Sequence, residues 1–180
     1  MEKGPDQLNT GMQMITFTLA DEEYGVDIRR VKEVIRIRQI THMPRAPGFL
    51  KGLINLRGDV IPIIDLRERF GLQAQGSTEM TRVIVTEIDQ RSVGMVVDAV
   101  SHVVRVDPSE IDDAPSWRGW LTREYVGSVA RLDEGLVVLL DVDAILSPDD
   151  MEELDRSAGM VDSVVESEVK EELHELVQAR

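Results

Sequence analysis

The sequence predicts a mainly β protein built from two small antiparallel barrels packed together, with short helices and a C-terminal helix. Three observations carry this. The segment Gly52-Leu-Ile-Asn-Leu-Arg-Gly-Asp-Val-Ile-Pro-Ile-Ile-Asp-Leu-Arg67 sets two β-branched apolar runs on either side of a Gly-Asp pair, the pattern of a tight hairpin. The two halves of the chain repeat one apolar pattern. Finally, 42% of residues are apolar but only 4% aromatic, so the core must be made of Val, Ile and Leu, residues that suit strands.

The elements follow in order. Residues 1–13 are polar and carry Gly and Pro, which predicts a flexible arm. Ile15-Thr-Phe-Thr-Leu19 alternates and reads as a strand, Asp21-Glu-Glu as a turn, and Tyr24–Ile28 as a second strand. Between Arg29 and Ile37 the spacing fits both a helical and an extended face, so a single helical turn followed by a strand is expected. Pro44, Pro47 and Gly48 bend the chain into the hairpin, and a short helix over Leu66–Leu72 stops at Gly71. Gln73–Glu79 is a linker containing Gln-Gly-Ser-Thr. Strands are expected again at Thr81–Ile88, Ser92–Val97 and Val100–Val106. Asp107-Pro-Ser-Glu has an N-cap residue followed by Pro at the first helical position. Trp117-Arg-Gly-Trp-Leu precedes a last hairpin, Val126–Leu132 with Leu136–Val142, turned by Asp133-Glu-Gly135. Ser147 caps a helix from Pro148 to Asp155 that carries acids in its first turn. After it, Val161, Val165, Val169, Leu173 and Leu176 form a narrow apolar stripe at helical spacing. The expected organisation is therefore an arm at 1–13, barrels at 14–76 and 77–146, a helix on the barrels at 147–159, and an acidic amphipathic tail at 160–180.

If Gly58-Asp59 form a type II′ turn, Leu56 faces Ile61 and Ile54 faces Ile63 on an apolar side that reads as core. The other side pairs Arg57 with Val60, Asn55 with Pro62 and Leu53 with Ile64, a mixed face suited to docking a partner. The repeat lays Tyr24–Ile37 over Val93–Val106, with Gly25 on Gly94 and Val31 on Val100, and lays Ile63-Ile-Asp-Leu66 over Leu139-Leu-Asp-Val142. Each half alone is near the lower size limit for a core, so a shared apolar seam is expected.

Charge and motif content exclude several function classes. A formal charge of −14 repels phosphate backbones and argues against nucleic-acid binding. The absence of Cys removes disulfides, thiolate nucleophiles and sulfur-ligated metals, and fits a reducing cytosol. The longest apolar runs, such as Leu136–Leu140, are too short to span a bilayer, and the N-terminus lacks an apolar signal core. His42, His102 and His174 share no ligand spacing, and no nucleophile elbow, phosphate loop or dinucleotide turn occurs. No cofactor, metal or catalysis is expected. A small acidic β-barrel enzyme would need convergent carboxylates that the sequence does not display.

Phe17-Thr-Leu-Ala-Asp-Glu-Glu-Tyr-Gly-Val-Asp-Ile28, Ile40-Thr-His-Met-Pro44, Phe49-Leu-Lys-Gly-Leu-Ile-Asn-Leu-Arg-Gly58, Ile61-Pro-Ile-Ile-Asp-Leu-Arg67 and Val93-Gly-Met-Val-Val-Asp-Ala-Val100 resemble the CheW family of chemotaxis coupling proteins. The resemblance runs from about Ile15 to Asp155 and leaves the tail unexplained. It implies two five-stranded SH3-like barrels and a non-catalytic adaptor. It also implies two partners, the regulatory domain of a CheA-type histidine kinase and the cytoplasmic helical tip of methyl-accepting chemoreceptors, assembled into arrays at the inner membrane face. An adaptor of a pilus-motility or second-messenger pathway would need the same surfaces. Carried onto this sequence, the receptor-facing groove involves Val31, Glu33, Arg57 and Val103. Arg57 could grip a partner or bridge the barrels internally, with Glu33 as its mate. The kinase-facing patch is placed near Ile15, Phe17, Val34 and Ile37 by analogy of fold.

Overall fold

The computed structural model describes residues 11–113 and 124–178; within the last helix, side chains are described through Gly159 and at Lys170, Glu171, His174, Val177 and Gln178. Residues 1–10 of the expected arm and the Trp117–Leu121 segment lie outside the described residues. The strands are β1 (Met12–Leu19), β2 (Glu22–Asp27), β3 (Val31–Arg36), β4 (Leu50–Leu56), β5 (Asp59–Asp65), β6 (Arg82–Ile88), β7 (Arg91–Val97), β8 (Ala99–Val106), β9 (Ile111–Asp113), β10 (Val126–Leu132) and β11 (Gly135–Leu140). The helices are α1 (Leu66–Arg69) and α2 (Pro148–Gln178), with 3-10 turns at Ile28–Arg30, Pro108–Glu110 and Val142–Ala144. The expected helical turn before a strand is thus Ile28–Arg30 leading into β3.

Two sheets result, one ordered β8-β1-β2-β11-β10-β9 and the other β3-β6-β7-β5-β4. The mainly β, two-unit build stands, with three differences in detail. One unit has six strands. Each sheet contains a parallel pair, β11 with β2 and β5 with β7, so neither is purely antiparallel. Neither closes into a complete barrel. The boundary expected between residues 76 and 77 does not separate the sheets: β1 and β2 join β8–β11, and β3–β5 join β6 and β7. Each sheet takes two strands from the other half because the chain crosses over after β2 and again after β7. Met12 and Gln13, expected in the arm, belong to β1, paired with Val106 and Arg105.

The repeat is real in three dimensions. β4–β5 and β10–β11 are equivalent hairpins, each with its register shift at the start of the first strand. In the parallel pairs, Gly94 faces Ile63 and Gly25 faces Leu139. A Cβ on Gly94 would lie 2.4 Å from Ile63 Cδ1, and one on Gly25 would lie 2.8 Å from Met14 Sδ, so a side chain at either position would push its core neighbours aside. Asp65 N–H donates to Phe49 O and Asp141 N–H to Tyr125 O, both at 2.8 Å, closing the two hairpins alike.

The β4–β5 turn differs by one residue from the count above. Arg57 and Gly58, with φ of 54° and 94°, are the central pair, and Leu56 faces Asp59. Two successive left-handed residues match the twist of flanking strands, and Asn55 Oδ1 accepts from Gly58 N–H at 2.9 Å. Ile54 then faces Ile61 and Gly52 faces Ile63. The shift preserves which residues share a face, so Ile54, Leu56, Ile61 and Ile63 are buried as expected, in a cluster completed by Val83 and Val85.

The largest cluster is the seam between the sheets. It joins Phe17, Leu19 and Val26 of one sheet to Ile64, Ile84, Val93 and Met95 of the other, and Met151 and Leu154 of α2 close it. Ser147 and Asp150 cap α2 reciprocally: Ser147 N–H donates to Asp150 Oδ2 at 2.8 Å, and Asp150 N–H donates to Ser147 Oγ at 3.1 Å. Arg69 holds Asp150 at 2.9 Å and donates to Ile145 O at 2.7 Å, while Arg91 pairs with Asp155. The 31-residue helix extends about 46 Å. It runs on beyond Ala158, and every side chain described after that residue is exposed.

Because strands interleave, the protein should unfold as one unit. Met95→Ala is expected to cost about 2–5 kcal/mol. Its urea transition should coincide by circular dichroism and by hydrogen exchange of amides from both sheets; separate midpoints would contradict the shared seam.

Candidate functional site

Glu33 and Arg57, 24 positions apart, meet through space. Arg57 Nη1 donates to Glu33 Oε1 at 2.6 Å and Nη2 to Oε2 at 3.0 Å, a two-pronged pair. The hairpin turn projects Arg57 from a left-handed backbone that a β-carbon disfavours, a conformation of the kind that concentrates at functional positions. β3, an edge strand, supplies Glu33. The Arg57 side chain is 73% exposed and that of Glu33 25%, so the guanidinium faces outward over a carboxylate that is partly enclosed. The hydrogen bond from Arg57 holds the Glu33 carboxyl below its ordinary value, aided by the charges of Arg57 and Arg38 and opposed by desolvation. The same bond raises the Arg57 guanidinium.

The remaining groove residues divide. Val31 is partly buried against the seam cluster. Val103 stands on β8, the edge strand of the other sheet, and is 56% exposed. It faces Ile15 across the ladder. Val34 is its repeat counterpart on β3, 37% exposed. The expected kinase patch is not continuous. Ile15 and Phe17 lie in the six-stranded sheet, while Val34 and Ile37 lie on and just beyond β3 in the other. Ile15 and Phe17 are buried, Phe17 within the seam cluster, and buried side chains offer a partner little area. Val34 and Ile37 keep exposure.

Two pairs that the sequence reading did not single out bridge the chain halves. Arg67 donates from Nε to Asp98 Oδ1 at 2.6 Å, also reaches Oδ2, and donates from Nη1 to Gln73 O at 3.0 Å. Asp98 further accepts from Ala20 N–H at 2.9 Å. Arg30 grips Asp143 with both Nη groups. The repeat contained a signal for them, since it lays Arg67 over Asp143, opposite charges two residues past equivalent hairpin ends.

A cavity of about 320 Å³ lies beside the hairpin, lined in part by Asp59, Val60, Pro62, Met151, Leu154 and Ala158. Among the described residues no group of three or more His, Asp or Glu is placed to hold a metal ion, and no helix is long and apolar enough to cross a membrane. The structure thus joins Glu33 to Arg57 in a fixed charge pair, leaves Val103 exposed on the edge of the other sheet and packs Val31 against the seam.

A family model described as the CheW-like domain matches residues 13–149. The chain is 40% identical over 157 residues to the chemotaxis protein CheW of Klebsiella aerogenes, covering 87% of this chain and 90% of that one. It is 33% identical to the chemotaxis protein CheW of Rhizobium meliloti, covering 80% and 93% respectively. Among solved structures, the scaffolding protein TtCheW from Thermoanaerobacter tengcongensis superposes with a TM-score of 0.73 at 33% identity, covering 78% of this chain and 96% of that chain.

The Arg67–Asp98 pair makes stability pH-dependent. Burial pushes the Asp98 carboxyl up, but the Arg67 hydrogen bond, the Ala20 N–H and the Arg67 charge together outweigh it and hold it below the ordinary 3.8. A carboxyl lowered in the folded state contributes stability in full above its unfolded pKa and loses it as pH falls through the folded one. Asp98→Ala should therefore cost about 1–2 kcal/mol at pH 7 and flatten the loss of stability below about pH 4. Urea titrations at several pH values measure this; an unchanged acid limb would show that Asp98 carries none of it.

Proposed function

Because this chain belongs to the CheW family of chemotaxis scaffolding proteins, a non-catalytic family, we propose that it couples a CheA-type histidine kinase to the cytoplasmic helical tip of methyl-accepting chemoreceptors. The observation that carries the residue-level reading is the two-pronged Glu33–Arg57 pair at a hairpin tip. With one edge turned to Glu33 and most of its side chain exposed, the guanidinium can donate to a carboxylate or to backbone carbonyls of a helical partner in a fixed orientation. Val103 adds apolar area from the second sheet. Binding proceeds without turnover, and weak contacts repeated across an array produce tight assembly. The protein works in the cytoplasm, at receptor arrays on the inner membrane face.

The kinase regulatory domain is the second partner. Of the four residues expected to meet it, Val34 and Ile37 can still do so without rearrangement, on the edge of the five-stranded sheet. The extension 160–180 is accessory to both contacts, a reading supported by the family match ending at residue 149 and by the exposure of the side chains described beyond Ala158.

Co-sedimentation with receptor cytoplasmic fragments, with and without the kinase regulatory domain, tests the reading. Arg57→Ala should fold normally and weaken receptor binding about tenfold to a hundredfold; full retention would remove Arg57 from the interface. Val103→Asp should weaken the same binding with little change in stability, because the side chain is already solvated. Deleting residues 161–180 should leave kinase binding intact, and its loss would make the extension a docking element.

A further inference from the structure

Two of the ion pairs between the halves, Arg67–Asp98 and Arg30–Asp143, occupy matching places with their signs exchanged. Asp65 and Asp141 end the equivalent hairpins, and their side chains accept from the N–H two residues on, of Arg67 at 2.9 Å and of Asp143 at 3.1 Å. Arg67 then reaches Asp98, in the crossover from β7 to β8. Asp143 is reached by Arg30, in the crossover from β2 to β3, with Nη1 donating to Oδ2 at 2.7 Å and Nη2 to Oδ1. The environments differ. Arg67 and Asp98 side chains are 12% and 29% exposed, whereas Arg30 and Asp143 are 36% and 57%. An ion pair as open as the second contributes little to stability. Its geometry is nonetheless closely specified, for Arg30 Nη2 also donates to Glu87 O on β6 at 2.8 Å.

What that geometry fixes is the start of β3. This strand is an edge, bonded only to β6, and its ladder is interrupted between Val31 and Glu33: Val31 faces Thr86, while Glu33 faces Val85. A bulge re-aims the side chains around it and leaves the extra residue outside the ladder. Lys32, that residue, is tethered to Glu87 at 2.7 Å and Ser92 at 2.9 Å. Arg30 secures the chain one residue before the bulge, and Glu33 emerges just after it.

We propose that the Arg30–Asp143 pair is a positioning device that sets the bulge at the head of β3 and so aims the Glu33 carboxylate at Arg57. The importance of that aim for partner binding rests on the function proposed above; the aim itself does not. The test follows the Glu33 carboxyl by NMR titration of its side-chain carbon in the full chain. Asp143→Ala should raise the Glu33 pKa toward the usual 4.5, as Arg57→Ala should too, with little change in the thermal midpoint. Simple removal of a negative charge would lower it, so the sign separates lost positioning from a field effect. Asp143→Glu, which keeps a carboxylate acceptor for Arg30 and leaves the Arg30 bond to Glu87 O in place, should retain the depressed value. An unchanged or lowered Glu33 pKa in Asp143→Ala, a value in Asp143→Glu as high as in Asp143→Ala, or global unfolding of Asp143→Ala would each overturn the proposal. Receptor affinity of Asp143→Ala, read in parallel, should fall several-fold; a raised Glu33 pKa with intact affinity would leave the positioning role standing and reject the function assigned to the pair.

Discussion

Everything in this fold depends on the apolar seam between the sheets. Each half of the chain is near the lower size limit for a core of its own, and each lends strands to the other so that one apolar cluster joins both sheets. Phe17 and Leu19 from one sheet meet Ile84 and Met95 from the other, and α2 covers the exit with Met151 and Leu154. The aromatic side chains are few but linked. Phe17, Tyr24, Phe70 and Tyr125 form a chain of ring contacts with centroids 6.0, 5.7 and 4.1 Å apart, running from β1 to the segment before β10.

Interleaving has a cost and a use. The cost lies at the crossovers, where the chain leaves one sheet for the other, and there the protein places two of its inter-half ion pairs. The use is that edge strands β3 and β8, from opposite halves, expose repeat-related valines Val34 and Val103. A scaffold needs rigid, partly apolar edges whose mutual placement does not vary with occupancy. A common core supplies that rigidity better than two domains on a linker would. The family match fits this economy, since it covers the strands and stops as α2 begins.

Much of the proposed docking surface was legible in the residues. The hairpin at Gly52–Arg67, its apolar face and its mixed face follow from alternation alone, which is why misplacing the turn by one residue left the faces unchanged. The pairing of Glu33 with Arg57 was foreseeable as one of two uses of an Arg beside a tight turn. The burial of Ile15 and Phe17 was not, because alternation tells which residues share a face but not which face meets the other sheet. The exchanged-sign pairs were hidden for a related reason: Arg30 and Asp143 are 113 positions apart, and only the crossovers bring them together.

By itself the sequence determined the strand-rich composition, the order of elements, the repeat and the absence of the common catalytic motifs, since all are written in local spacing and residue type. Tertiary structure alone decided which strands neighbour one another. It made the parallel pairs at Gly25 and Gly94, drew β3 and β8 into the opposite sheets, and seated Arg57 in a left-handed turn against Glu33. The physical reason is that burial of aliphatic area is non-directional and rewards any close-packed arrangement. The choice among such arrangements rests on long-range fits, such as a glycine too crowded for a β-carbon or a carboxylate within reach of one particular guanidinium.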